Sequence, residues 1–162
     1  MGKCVEKGSI RFTKPKQYVL SVAGAKVGAT AGWTVGAAAD TALATVAASQ
    51  SAATLVIPIT APLAVGDIIT GFTVVGQIES AGNTATLDAS LRKQTAAAAD
   101  VVDALVGSMT QISTTADLIG NHALTGLTEV VATDSSYYLL LTATTAASTD
   151  IALLGVSITV KQ

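Results

Sequence analysis

VGDIITGFTVVGQIESAGNTATLDASLRK, residues 65–93, is the stretch whose reading decides the fold. Gly66-Asp67 opens it with a turn signal, and residues 68–79 then run rich in Thr, Val, Ile and Phe. Ser80-Ala81-Gly82-Asn83 interrupts the run. Beyond the break Ala85, Leu87, Ala89 and Leu91 alternate with Thr84, Thr86, Asp88 and Ser90, the two-residue period of a strand with one buried face. A four-residue break containing Gly and Asn suits a turn, so the stretch predicts a long β-hairpin.

Downstream, residues 95–100 read as a loop or single helical turn, and residues 105–110 as a strand. Residues 114–125 read as a polar connection holding Gly120-Asn121-His122. Residues 127–131, 137–145 and 151–160 supply three more strands, the last expected to pair back with the first arm of the hairpin. Upstream, Leu55-Val56-Ile57 begins a strand that Pro58 and Pro62 confine to an edge or an end. The spacing of about eight strands from Leu55 onward predicts an all-β chain folded as an antiparallel β-sandwich.

The first third is different. Residues 1–16 are basic, with Gly8 and Pro15, and read as an extended N-terminal arm; residues 17–22 could form a first strand. Gly24, Gly28, Gly32 and Gly36 follow at four-residue intervals. Each would cost a soluble helix about 1 kcal/mol relative to Ala. In an extended chain all four share one face and let the backbone approach a neighbouring surface closely. Trp33, the only Trp, is the natural anchor of this segment. Residues 37–53 are rich in Ala, Thr and Ser, with either a short helix capped by Asp40-Thr41 or a strand at 43–46. The division expected is therefore 1–53, arm and Ala/Gly/Thr-rich segment, and 54–162, sandwich.

Hydrophobic residues make up 50% of the 162, but Asp, Gln, Thr and Ser cut every apolar run well short of the ~18 residues of a spanning helix. No membrane is expected. Charged residues are only 12%, about half the usual ~25%. Thr, Ser, Ala and Gly must cover the surface, which guards poorly against association. A homo-oligomer follows as the expectation. Residues 1–26 carry six cations (Lys3, Lys7, Arg11, Lys14, Lys16, Lys26) against Glu6, whereas residues 27–162 carry three cations against ten acids. Such a basic leader suits an acidic partner surface. It lacks the density of cations and interleaved aromatics of a nucleic-acid segment. One cysteine, Cys4, allows no disulfide within the chain, and the first residues show no apolar leader.

Candidates for chemistry are few. His122 is the only His, and no partner for a Ser-His-Asp or Cys-His arrangement can be named beside it. A buried cleft holding His122 with Asp117 or another carboxylate would be needed for an enzyme. One Cys and one His cannot build a zinc site. Asp100 and Asp103 lack the further oxygens that calcium needs, so they read as a solvated rim. No cofactor is expected. Tyr137-Tyr138 must point to opposite faces of a strand, one ring into the core and one toward a partner or solvent.

Gly66-Asp67-Ile68-Ile69-Thr70-Gly71 and Tyr137-Tyr138-Leu139-Leu140-Leu141 together resemble the opening and closing strands of jelly-roll-like β-sandwich modules in virion proteins of tailed bacteriophages, especially head decoration (cement) proteins. The resemblance covers residues 54–160. It implies a non-enzymatic component of the virion that stabilises the outside of the capsid, commonly a homotrimer seated on the major capsid protein and assembled in the host cytoplasm. On that reading Lys3, Lys7, Arg11, Lys14, Lys16 and Lys26 contact the capsid. The alternative is a carbohydrate- or receptor-binding β-sandwich module of a phage tail or cell-surface fibre. A shallow pocket lined by Tyr137 or Tyr138 would favour it.

Overall fold

A computed structural model describes residues 14–36, 43–97 and 100–162. Among them there are strands and no helix. Four short strands come first: β1 (Lys16–Val19), β2 (Lys26–Val27), β3 (Trp33–Val35) and β4 (Ala44–Val46). Eight more follow: β5 (Ala53–Pro58), β6 (Ile68–Ser80), β7 (Ala85–Ala96), β8 (Val101–Ser108), β9 (Ile112–Thr114), β10 (Leu118–Val130), β11 (Ser135–Thr145) and β12 (Thr149–Lys161). Every pairing is antiparallel. One sheet has the order β10-β6-β12-β4-β3, with β1 also on β12; the other has the order β2-β5-β11-β7-β8, with β9 also on β7. The eight strands from β5 onward match the expected sandwich, and β12 pairs with β6 as predicted, Thr149 opposite Ser80 and Lys161 opposite Ile68.

The predicted hairpin is corrected. β6 lies in the first sheet and β7 in the second, so residues 81–84, with Gly82 at φ +84°, arch from one layer to the other. Two half-buried strands explain why. Ile69, Phe72, Val74 and Ile78 of β6 and Ala85, Leu87, Ala89 and Leu91 of β7 are all buried, and a Cβ on Gly76 would sit 3.4 Å from Leu87 Cδ2. Placed across the core, each apolar row covers the other. Placed side by side in one sheet, both would need a further layer. The outer edges of the arch are then held by other segments: Ser80 N–H bonds Asp117 Oδ1 at 2.8 Å, and Asn83 Nδ2 bonds the Ala147 carbonyl at 2.7 Å.

The described residues before residue 53 are extended, and they are laid into both sheets. Lys16 pairs with Val160, Lys26 with Val56, and the β3–β4 hairpin reaches β12 through Val46 opposite Ile151. Leu20, Val22 and Trp33 are buried in the common core, and Trp33 Nε1 donates to the Ala53 carbonyl at 3.0 Å. The glycine spacing serves this packing at two positions. A Cβ would meet Thr54 Oγ1 at 1.9 Å from Gly28 and Ala53 Cβ at 2.6 Å from Gly32. Lys3, Lys7, Arg11 and the proposed cap at Asp40-Thr41 lie outside the described residues.

Residues 114–125 form no loose connection: most of them belong to β10, the edge strand beside β6. Their alternation sets half-buried Leu118, Gly120, His122 and Leu124 against exposed Ile119, Asn121, Ala123 and Thr125. The inward residues include Gly and His, so hydropathy alone conceals the period. The turn signal at Gly66-Asp67 is real. Asp67 Oδ2 accepts the Ala64 N–H at 2.8 Å, and the turn is clamped to the end of β10 by Gly66 and Asp67 bonding Val131.

Candidate functional site

The outer face of the second sheet carries the best-built polar cluster. In register across it run Pro58 of β5, Tyr138 of β11, Arg92 of β7 and Leu105 of β8. The next row holds Ser136, Gln94 and Asp103. Antiparallel partners share a face, so the chain brings these side chains together by register alone. Tyr138 donates its hydroxyl to Asp103 Oδ1 at 2.8 Å, while Arg92 Nε and Nη2 reach Oδ2 at 2.9 and 2.8 Å. The Arg92 guanidinium holds the Asp103 carboxyl below the usual carboxylate range, and the Tyr138 bond adds to that. Burial pushes the Tyr138 phenol up, and the adjoining carboxylate pushes it further. The result is an aromatic ring pinned at its hydroxyl, which keeps its proton.

Tyr138 lines a shallow depression of about 370 Å³ together with Gly24, Lys26, Val56, Pro58, Gln94 and Leu140. The lining combines apolar or small Gly24, Val56, Pro58 and Leu140 with the Gln94 amide, the Lys26 ammonium and the Ser136 hydroxyl. Tyr137 points the other way, buried as expected of one of the two rings.

A larger depression of about 600 Å³ lies on the first sheet, lined by Thr34, Thr45, Gln77, Glu79, Asp150 and Ala152 among others. Among the described residues that line it, none is aromatic. Glu79 and Asp150 face each other there across paired strands, and like charges directly opposite are unfavourable. No group of three or more His, Cys, Asp or Glu among the described residues is placed to hold a metal.

The remaining sequence candidates are dispersed. His122 stands in β10 opposite Val74, whereas Asp117 is spent on the Ser80 amide. Asp100 Oδ1 takes the Val101 N–H at 2.7 Å, so the two carboxylates of the Asp100/Asp103 pair serve different partners. Of the basic residues described, Lys14 is exposed ahead of β1, Lys16 lies in the first sheet and Lys26 in the second. Arg92, Gln94 and Pro58 were not singled out by the sequence. Only the strand registers reveal them: β7–β8 sets Arg92 and Gln94 beside Leu105 and Asp103, and β5–β11 sets Pro58 beside Tyr138.

No known family model matches the chain, and no curated protein matches it. Solved structures do. The CBM22-2 xylan-binding domain from Paenibacillus barcinonensis Xyn10C is 12% identical over 88% of this chain and 98% of its own, with a TM-score of 0.53. The carbohydrate-binding module CBM36 in complex with calcium and xylotriose is 16% identical over 89% of this chain and 98% of its own, with a TM-score of 0.48. A structure of infectious bursal disease virus, Gt strain, is 13% identical over 92% of this chain and 33% of its own, with a TM-score of 0.37. At such identities the likeness is one of fold: the two antiparallel sheets form a jelly-roll-like β-sandwich, the fold shared with the CBM22-2 domain.

Proposed function

We propose that the protein is a non-catalytic binding module that holds a carbohydrate chain against Tyr138 on the outer face of the second sheet. The observation that carries the reading is the pinned ring beside an open depression edged by Gln94 and Lys26. A sugar ring presents an apolar face and a rim of hydroxyls. A fixed tyrosine supplies the complementary flat apolar surface, and neutral amides and hydroxyls meet the rim. Fixing the ring beforehand lowers the ordering cost of binding. The CBM22-2 neighbour, a xylan-binding domain, supports the same ligand class.

The test is retention on insoluble polysaccharides, including xylan, followed by titration calorimetry with soluble oligosaccharides. Binding should weaken about tenfold in Tyr138→Ala and persist in Tyr138→Phe. A chain that retains no polysaccharide, or whose binding ignores Tyr138→Ala, overturns the proposal.

A second reading, the capsid-bound virion component, is supported by the charge-poor composition and by exposed apolar side chains at Val101, Val102 and Leu105. On it, the basic residues from Lys3 to Lys26 grip the major capsid protein and copies of the chain assemble with one another. Cosedimentation with empty capsids tests it, using charge-reversed Lys3, Lys7, Arg11 and Lys14 so that β1 stays whole. Unchanged binding of that variant removes the basic grip.

A further inference from the structure

We propose that β8 is a pairing edge for a second copy of this chain, the two β8 strands running antiparallel about a two-fold axis at Ala104. Open strand edges invite pairing, and folded proteins blunt them with short strands, lysines or bulges. The other described edges are blunted. β1, β2, β3 and β9 span two to four residues, β1 and β2 bearing Lys16 and Lys26. β10 is the other long edge, in register with β6 from Leu118 to Thr125, but its exposed positions there include polar Asn121 and Thr125, and the register breaks beyond them, where Gly126 has φ +80°. β8 runs eight residues with Val101, Val102 and Leu105 more than half exposed. Its one charge, Asp103, is already neutralised by Arg92 at 2.8 Å.

The backbone fixes which groups are free. Ala97 N–H bonds the Asp100 carbonyl, which starts the β7–β8 ladder. Antiparallel alternation then turns the N–H and C=O of Val102 and Ala104 toward β7 and those of Val101, Asp103 and Leu105 away from it. Val101 N–H is taken by Asp100 Oδ1. Asp103 and Leu105 remain, two residues apart. A two-fold axis at Ala104 pairs Asp103 of each copy with Leu105 of the other, uses all four groups twice, and sets the two Ala104 residues opposite each other. The neighbouring register, centred on Asp103, would oppose two carboxylates. A second copy therefore fits this edge with matched hydrogen bonds and no facing charges. The register break at Leu91/Arg92 falls just beyond Leu105 and limits the pairing to this centre. Closed two-fold pairing predicts a dimer.

Facing residues at such a position lie about 4.5 Å apart at Cα, within disulfide range. In a Cys4→Ser background, Ala104→Cys should lock into a covalent dimer under mild oxidation, and Ile119→Cys, exposed on β10, should not. Sedimentation equilibrium should give a dimer for the unaltered chain and a monomer for Leu105→Lys, with the melting temperature of the isolated fold retained. A monomer at every concentration, a trimer, or an oligomer indifferent to Leu105→Lys overturns the proposal. So does a dimer that Ala104→Cys fails to lock. Polysaccharide binding is read separately and decides nothing here.

Discussion

Lys93 Nζ lies 2.9 Å from Glu129 Oε1 and so ties β7 of one sheet to β10 of the other. The Tyr137 hydroxyl donates to the same oxygen at 2.8 Å, and the Lys93 ammonium stands 5.9 Å from the Tyr137 ring centroid. Both charged side chains are about one-quarter exposed, a setting in which a shared pair outlasts the screening of a free surface pair. Glu129→Gln should cost about 1 kcal/mol. A double-mutant cycle with Lys93→Met should return a coupling of about 0.5–1 kcal/mol in urea unfolding. Zero coupling would reduce the bridge to a surface contact.

The same cluster gives an alkaline dependence. Burial, and then the Glu129 bond, raise the Tyr137 phenol; the Glu129 bond raises the Lys93 ammonium. A group whose folded value is raised stabilises fully below its unfolded value and loses that contribution as pH climbs through the folded one. Stability should thus fall above about pH 10, and less steeply in Tyr137→Phe. Melting temperatures across that range check the slope.

Asp103 gives the opposite sign. Arg92 lowers its folded value, so its contribution is present above about pH 4 and disappears as acid protonates it. Asp103→Asn should flatten the acid limb of the stability profile by a few tenths of a kcal/mol, a size set by the solvent exposure of the pair. An unchanged acid limb would count against the assignment.

Trp33 tests whether the first third belongs to the sandwich. Trp33→Ala should cost about 3–5 kcal/mol, and a chain beginning at residue 27 should lose the buried Leu20 and Val22. Trp fluorescence and far-ultraviolet dichroism of the unaltered chain should report one coincident transition. Two separate transitions would restore an independent arm.

Gly71 and Gly76 should respond differently to one methyl group. A Cβ on Gly71 would lie 2.2 Å from the Leu124 carbonyl oxygen, part of the backbone of β10, whereas on Gly76 its nearest neighbour is Leu87 Cδ2 at 3.4 Å. Gly71→Ala should destabilise by about 1–3 kcal/mol or more, and Gly76→Ala by less than about 1 kcal/mol. Chemical denaturation of the two variants makes the comparison.

The class of fold was legible because burial writes a two-residue period wherever one face is apolar, as from Ala85 to Leu91. Layer assignment was not. An arch and a hairpin share the same alternation and the same Gly-Asn break, and the difference lies in strands 30 to 80 residues away. The first half of β10 escaped notice because Gly120 and His122 occupy its inward positions. Trp33 was rightly read as an anchor, yet nothing local says that it would donate to Ala53. The site was half visible: Tyr138 follows from strand parity, but Arg92 meets Asp103 only through the hairpin register.

The arch between β6 and β7 also governs the order of events during synthesis. Neither strand can satisfy its backbone by pairing with the other; β6 waits for β10 and β12, and β7 waits in part for β11. Long stretches rich in Val, Ile and Thr therefore leave the ribosome with their ladders unfilled until β11 and β12 emerge. Such delayed closure makes for slow acquisition of the native state and a window for misassociation, a hazard set by connectivity rather than by the strength of the finished core.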